Sequence, residues 1–185
     1  TVKSSVIGIV GTAPDADPDA FPLNTPVLVA GSRKEAAGLD TVGTALGTLP
    51  VAMDGIFDQI GAVVIVVRVE EGATEAESLA NVIGGVNAVD GNFEGVHALV
   101  GAESVVGFSP RILIAPGFTH QRPLDNANPV VAELQGIGDR LRAVIIADGP
   151  NTNDADAITA AGDFGSDRIY LIDPWHKVMV GSDIV

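Results

Sequence analysis

Several kinds of chemistry are excluded by what this chain lacks. None of its 185 residues is a cysteine, which excludes disulfides, thiolate catalysis, and zinc or iron–sulfur sites built on cysteine. Only 10 residues are Lys or Arg against 24 Asp and Glu, a formal net charge of −14. Nucleic acid and anionic membranes attract basic surfaces, so we expect neither as a partner. The longest apolar run, residues 62–67, ends at Arg68 and falls far short of the ~20 residues of a membrane-spanning helix.

Motifs for nucleotide binding and for a serine nucleophile are also missing. Gly8 and Gly11 follow a predicted strand without a third glycine, and Gly136 and Gly138 lie inside a helical pattern. These glycines indicate turns or close packing and not a phosphate loop. Ser109 is followed by a proline and precedes a strand, whereas a nucleophile elbow needs Gly-x-Ser-x-Gly between strand and helix. We interpret Ser109 as a loop or capping hydroxyl.

Three short apolar runs, each closed by a Pro or Gly turn, are the strongest positive signal. They lie within residues 110–117, 143–150 and 168–174, with helical patterns between them. Apolar runs without polar alternation are typical of parallel strands that helices bury on both faces. The segment predicts βαβαβ, and the chain an α/β fold with a mostly parallel sheet flanked by helices. The mean hydropathy of +0.35 is high, and there are two explanations. The apolar residues all lie in such a core, or some of them form a docking surface.

The remaining strands belong to the same predicted domain, which we take as residues 1–185. Residues 4–10 and 26–30 predict additional N-terminal strands, with the first at an edge of the sheet. We expect the core strands at 62–69, 112–115, 144–147 and 169–172. Residues 11–22, rich in Pro, Asp and Gly, predict an exposed loop that is the best candidate for disorder.

Helix starts are marked by capping residues. The predicted starts, with their supporting positions, are Ser32 with Glu35, Pro50 in a first turn, Thr74 with Glu77, Asn128 before Pro129, and Asn153 with Asp156. Glycines at 61, 84–85 and 165 predict helix ends. A further short helix is expected within residues 92–106.

Two carboxylates are the best enzyme candidates. Asp148 and Asp173 follow adjacent predicted strands, at the edge where open α/β sheets bind ligands, and a pair of carboxylates there suits Mg²⁺. This alternative is a small metal-assisted hydrolase or transferase. The competing interpretation is structural, because an Asp before Gly or Pro bonds to its own turn. The spacing of 148–156 does not match a calcium loop.

The three histidines do not form a metal motif. His97, His120 and His176 are far apart in sequence, with no i, i+4 pair. We expect His120 to be solvated in a polar loop, and His176, beside Trp175, to serve packing or an interface. We therefore assign no catalytic, cofactor-binding or metal-ligating residue and expect no cofactor.

Six segments, in order and spacing, resemble the tail sheath proteins of contractile bacteriophages, of the kind found in P2-like phages and R-type pyocins. Each is unspecific alone, but together they extend over nearly the whole chain. The segments are residues 4–10, 26–29, 83–85, 110–117, 141–151 and 164–174.

The resemblance implies a mechanical role and no enzyme activity. Sheath subunits stack helically around a tail tube, and a baseplate signal lets them contract and drive the tube through a cell envelope. The implied partners are other sheath subunits, the tube and the baseplate. The implied location is the tail sheath of a virion, after synthesis in the bacterial host cytoplasm.

Family members are longer at both ends. We therefore expect this chain to be a fragment that lacks the N-terminal arm and the C-terminal portion. We also expect the fragment to be mostly monomeric in solution.

Overall fold

Short strands alternate with helices in the computed structural model, which describes residues 5–177, 179–180 and 183–184. The strands are β1 (Val6–Thr12), β2 (Pro26–Ala30), β3 (Val63–Val69), β4 (Gly85–Val86), β5 (Phe93–Glu94), β6 (Ile112–Ile114), β7 (Val144–Asp148), β8 (Ile169–Ile172), β9 (Met179–Val180) and β10 (Asp183–Ile184). The α-helices are α1 (Arg33–Ala36), α2 (Leu49–Gln59), α3 (Glu75–Ile83), α4 (Ala102–Val106), α5 (Pro129–Leu141) and α6 (Asp154–Gly162). Single-turn 3₁₀ segments occur at Ala37–Leu39 and Pro123–Asp125, and a longer one at Gly95–Gly101.

Six strands form the main sheet, in the order β2-β3-β1-β6-β7-β8. β2 pairs with β3 in antiparallel fashion, and the other four pairings are parallel. The βαβαβ segment predicted from the three apolar runs is β6-α5-β7-α6-β8. The α/β fold class, with a mostly parallel sheet and additional N-terminal strands, is confirmed.

The sequence leaves the order of the strands open, and two expected strand positions differ from the structure. β1, expected at an edge, lies between β3 and β6, because its apolar side chains enter the cores on both faces. Val10 packs into one core and Ile9 into the other, and both are fully buried. β8, expected in the core, is an edge strand, and its Tyr170 is 58% exposed. Ser4, which begins the predicted first strand, lies outside the described residues.

Each face of the sheet carries its own hydrophobic layer. On one face α3, α5 and the Gly95–Gly101 turn cover a cluster that includes Leu99, Leu113, Leu134 and Ile145. On the other face α1 and α2 contribute to a cluster that includes Leu39, Leu49, Met53, Val64 and Val66. Burial on both faces explains why residues 63–67 of β3 are continuously apolar in sequence.

Three of the predicted helix caps are confirmed. A side-chain oxygen accepts a hydrogen bond from a first-turn backbone N–H at Thr74 (from Glu77, 3.2 Å), Asn128 (from Val131, 2.9 Å) and Asn153 (from Asp156, 3.1 Å). α1 begins directly after Ser32, as predicted, but the Ser32 side chain makes no capping hydrogen bond. Glu35 reaches past it, and its Oε2 accepts from the backbone N–H of Ala30 at 3.0 Å.

Other boundaries differ by a few residues. α6 ends at Gly162, before the predicted stop at Gly165. The helix expected within residues 92–106 is the Gly95–Gly101 3₁₀ turn continuing into α4. Among the described residues, none of the helices combines the length and apolar character needed to cross a membrane.

The segment 11–22 is less exposed than predicted. Its first two residues belong to β1, while Ala13 and Phe21 are buried at 1% and 3% exposure. The carbonyl oxygen of Phe21 accepts a 2.6 Å hydrogen bond from Nε of Arg68, a guanidinium whose pKa is lowered by burial. The backbone N–H of Asp17 donates to the Gly38 carbonyl oxygen at 2.8 Å. The loop is thus anchored to the core at both of its ends.

Candidate functional site

The carboxyl ends of β6, β7 and β8 bring the two candidate carboxylates to one edge of the sheet. Asp148 is the last residue of β7. Its Oδ2 accepts a hydrogen bond from the Thr119 hydroxyl at 3.2 Å, and its backbone N–H donates to the Thr119 Oγ1 at 2.9 Å. Thr119 is itself 3% exposed and lies in the segment after β6. The carboxylate of Asp148 therefore joins the exits of two neighbouring strands.

Asp173 holds the turn that follows β7. Its Oδ2 accepts a hydrogen bond from the backbone N–H of Asn151 at 2.7 Å. A Cβ placed on Gly149 would come within 2.5 Å of the same oxygen, so only glycine fits beneath the carboxylate. The Gly149 N–H donates to the Ile172 carbonyl oxygen at 2.8 Å. This is the structural role expected of an Asp beside a turn, although Asp173 braces the turn of the neighbouring strand rather than its own.

Trp175 closes the same edge. Its indole Nε1 donates to the Gly149 carbonyl oxygen at 2.7 Å, and its backbone N–H donates to Oδ1 of Asn151 at 3.3 Å. Its ring meets the ring of His120 edge-on, with centroids 5.0 Å apart and an interplanar angle of 79°. We call this group the carboxyl-edge cluster; its members are Thr119, His120, Asp148, Gly149, Asn151, Asp173 and Trp175.

The prediction of a solvated His120 is wrong. Its Nδ1 is buried and has no hydrogen-bond partner within the described part of the chain, as is also true of the Gln121 Oε1. The ring packs on Trp175. His176, expected to serve packing or an interface, is exposed in this domain. His97 lies elsewhere, with its Nε2 3.2 Å from Oε2 of Glu133.

The cluster is built for holding strand ends together. Oδ2 of Asp148 accepts a hydrogen bond from the Thr119 hydroxyl, and Oδ2 of Asp173 accepts one from the backbone N–H of Asn151. No group of three or more His, Asp or Glu side chains with the spacing of a metal site occurs in the described residues. Nothing in this geometry favours the metal-assisted hydrolase or transferase.

Two glycines of the apparent phosphate motifs, Gly8 and Gly138, serve close packing as predicted, whereas an added Cβ on Gly136 would meet nothing within 4 Å. A Cβ on Gly8 would meet Pro110 Cβ at 2.9 Å, and one on Gly138 would meet Ile145 Cδ1 at 2.7 Å. Ser109 lies in the loop between α4 and β6.

A carboxylate with a lowered pKa, Asp40, lies in a loop far along the chain from this cluster. Asp40 accepts backbone N–H bonds from Ala45 (2.8 Å), Gly43 (2.7 Å) and Thr44 (3.2 Å). These bonds lower the pKa of the Asp40 carboxyl below its ordinary value, and the bond from Ala45 has the largest effect. The group organises the turn 40–45 and has no role at the sheet edge.

Sequence reasoning missed Thr119, Asn151 and Trp175 as members of the cluster. Their contacts join residues 22 to 29 positions apart, and a local pattern carries no information about such pairs. Only Asp148 and Asp173 were recognisable, because each stands directly at the end of an apolar run.

A family model described as the N-terminal region of domain III of tail sheath protein Gp18 matches residues 4–69. The matched segment contains β1, β2, α1, α2 and β3. It therefore covers the half of the sheet that precedes the βαβαβ segment.

Three known proteins extend the similarity over the rest of the chain. A prophage major tail sheath protein of Pseudomonas aeruginosa (strain UCBPP-PA14) is 37% identical over 176 residues, which are 95% of this chain and 42% of that protein. The tail sheath protein of Escherichia phage P2 is 37% identical over 149 residues, 77% of this chain and 35% of its own length. The major tail sheath protein of Serratia phage KSP20 is 40% identical over 144 residues, 77% of this chain and 34% of its own. The chain thus spans less than half the length of each of these relatives.

Proposed function

This chain belongs to the phage tail sheath protein family, and from that premise we propose that it is a structural domain of a contractile tail sheath. The sheath surrounds the tail tube and drives it through a cell envelope when it contracts. The partners of the domain are other sheath subunits, and the complete protein also meets the tail tube and the baseplate. Its location is the tail of the virion, reached after synthesis in the cytoplasm of the bacterial host.

The observation that carries this proposal is the similarity to a prophage tail sheath protein at 37% identity over 95% of the chain. A match of that extent includes both halves of the sheet and the carboxyl-edge cluster. It supports a shared role for the domain as a whole rather than for one motif.

The physical character of the domain suits force transmission. Two hydrophobic layers enclose the sheet, and close-packed interiors of this kind are stiff. The carboxyl-edge cluster adds hydrogen bonds between three successive strand exits. A sheath subunit needs a rigid body of this kind whose surfaces fit neighbours in a repeating, non-closing arrangement.

Immunogold electron microscopy of tail particles tests the proposal. Antibodies raised against this chain would be applied to particles released from bacteria that carry its gene. We expect gold along the full length of the contractile tail, and in contracted particles on the shortened sheath and not on the bare tube. Antibody pre-adsorbed with the purified chain is the control. Labelling confined to capsids or tail fibres, or intact tails without label, would overturn the proposal.

A further inference from the structure

The charge of this domain is distributed unevenly along the direction of its strands. Six exposed carboxylates lie at the edge where the parallel strands end, two directly after β3 and four in the first turns of α3 and α6. The Glu75 Oε1 lies 3.1 Å from Nε2 of Gln121 in the segment after β6, which places the start of α3 on the same edge. We call this surface the acidic edge; its members are Glu70, Glu71, Glu75, Glu77, Asp154 and Asp156.

Arginines gather at the opposite edge, where β6, β7 and β8 begin. The carbonyl oxygens of Arg111 and Arg168 accept hydrogen bonds from the N–H groups of Val144 (2.9 Å) and Ile145 (2.7 Å), so the three strand starts lie side by side. Arg140 and Arg142 at the end of α5 complete the group, which holds four of the ten Lys and Arg residues. We call this surface the arginine edge; its members are Arg111, Arg140, Arg142 and Arg168.

Two of these arginines have free charges. Arg168 pairs with Asp139 at 3.2 Å, and Arg111 donates to the Leu141 carbonyl oxygen. Arg140 and Arg142 are exposed and have no ion pair within the residues that the structure describes. They are available to carboxylates of another molecule.

Helix dipoles explain only part of this separation. Acidic residues are stabilised in the first turns of α3 and α6, and Arg140 at the end of α5. Glu70, Glu71, Arg111 and Arg168 lie outside the helices, yet they follow the same division. Asp139 and the exposed Asp167 lie beside Arg168 and offset part of the positive charge of the arginine edge. The two edges therefore differ in charge beyond what the helix ends require.

We propose that copies of this domain meet head to tail, with the acidic edge of one copy against the arginine edge of the next. The inference rests on the proposed sheath function, since it names the partner surface within such an assembly. The two edges lie at opposite ends of the same strands, so the contact joins different surfaces of two copies and repeats without closing. Matching charges select this orientation, because acidic edges facing each other repel.

Two charge-reversed chains test the contact. One carries Arg140→Glu with Arg142→Glu and keeps the acidic edge; the other carries Glu70→Lys with Glu71→Lys and keeps the arginine edge. Amide shifts of ¹⁵N-labelled chain would be followed by NMR at increasing concentration. We expect each double variant to associate with itself at least about tenfold more weakly than the original chain does. A mixture of the two should regain association through the two unaltered edges.

The location of the shifts is the decisive readout. In the mixture, the labelled Arg140→Glu, Arg142→Glu chain should show amide shift changes at its acidic edge. The labelled Glu70→Lys, Glu71→Lys chain should show them at its arginine edge. Raising the salt concentration from about 0.05 to 0.5 M should remove both sets of shifts, because the Debye screening length falls to a few Å. Shifts on the β2 side of the sheet, or no rescue in the mixture, would overturn the proposal.

Matched reversals separate the contact from net charge. Lys34→Glu on α1 and Glu103→Lys on α4 change exposed residues beside β2, outside both named groups, and they are compared with the single changes Arg140→Glu and Glu71→Lys. The controls should associate like the original chain, and an equal loss in them would contradict the proposal. If Arg142→Glu disturbs the end of α5, the single variant Arg140→Glu, which changes an exposed helix position, is used in place of the double variant. Gold-labelled tails together with unaffected variants would leave the sheath function standing and reject this contact alone.

Discussion

The indole Nε1 of Trp175 donates a 2.7 Å hydrogen bond to the carbonyl oxygen of Gly149, which fastens the chain leaving β8 to the turn that leaves β7. The same tryptophan packs on His120 from the segment after β6. One side chain thus links the exits of three neighbouring strands, including the edge strand β8.

Replacing Trp175 tests whether its hydrogen bond to Gly149 stabilises the domain. Trp175→Phe keeps an aromatic ring but removes the donor to Gly149, so the free energy of unfolding in urea should fall by about 1 kcal/mol. The exposed neighbour His176 supplies the control, since His176→Ala should leave stability unchanged. Equal losses in the two variants would mean that the indole hydrogen bond does not stabilise the domain.

The centre and the edge of the sheet should respond differently to truncation. Ile145 in β7 is fully buried, whereas Tyr170 in β8 is 58% exposed. Ile145→Ala should cost ~2–5 kcal/mol of unfolding free energy, because it leaves a cavity in the core. Tyr170→Ala should cost less than about 1 kcal/mol. A reversed ranking in chemical denaturation would contradict the strand order.

Two glycines in one helix should give opposite results. In α5 a Cβ on Gly138 would lie 2.7 Å from the Ile145 Cδ1 and 3.3 Å from the Ala143 oxygen, while one on Gly136 meets nothing within 4 Å. Gly138→Ala should therefore destabilise the domain by ~1–3 kcal/mol through overpacking. Gly136→Ala should stabilise it by ~0.5–1 kcal/mol, the difference in helix propensity. Thermal unfolding of the pair is the measurement, and stabilisation by both would show that α5 does not press on β7 as described.

The turn 40–45 should weaken in acid. The pKa of Asp40 is lower in the folded chain than in the unfolded chain, because its carboxylate accepts three backbone N–H bonds. The unfolded chain therefore binds the proton first as the pH falls. The stabilisation is fully present above the ordinary carboxyl value of about 4 and is lost as the pH drops through the folded value.

NMR of the Gly43 and Ala45 amides from pH 6 to pH 2 measures this titration. Both should shift with a midpoint below the ordinary value, and Asp40→Asn should abolish the shift. A midpoint at or above that value would show that the backbone bonds do not favour the ionised form.

The two candidate carboxylates should not bind metal tightly. Asp148 and Asp173 are engaged by Thr119 and Asn151, so Mg²⁺ or Mn²⁺ would have to displace those hydrogen bonds. Calorimetry should give no saturable heat with either ion at concentrations below about 1 mM, the range in which specific carboxylate sites fill. A tight site that disappears in Asp148→Asn would instead revive the metal-dependent enzyme.

Local features were predictable from sequence, and long-range ones were not. The caps at Thr74, Asn128 and Asn153 depend on residues three positions apart, so they could be recognised directly. The capping hydrogen bond expected at Ser32 is absent. Glu35 instead accepts a hydrogen bond from the N–H of Ala30, whose position depends on where β2 ends. Strand runs were recognised, but their order was not, since β1 and β8 are both apolar and only tertiary packing puts one in the centre and the other at the edge.

The carboxyl-edge cluster shows the same division. Asp148 and Asp173 stood out because each follows an apolar run. Trp175 and His120 are 55 positions apart, and nothing near either residue indicates that their rings meet. The charge separation between the two edges likewise becomes visible only once the strand order and the position of α3 are known.

Helical reconstruction of purified tails by electron cryo-microscopy would show whether this domain is a rigid part of the sheath. We expect the six-stranded domain to fit the density of every sheath subunit as one rigid body, in both the extended and the contracted tail. Tails whose sheath density has no place for this domain, or a domain whose sheet is rebuilt between the two states, would contradict it.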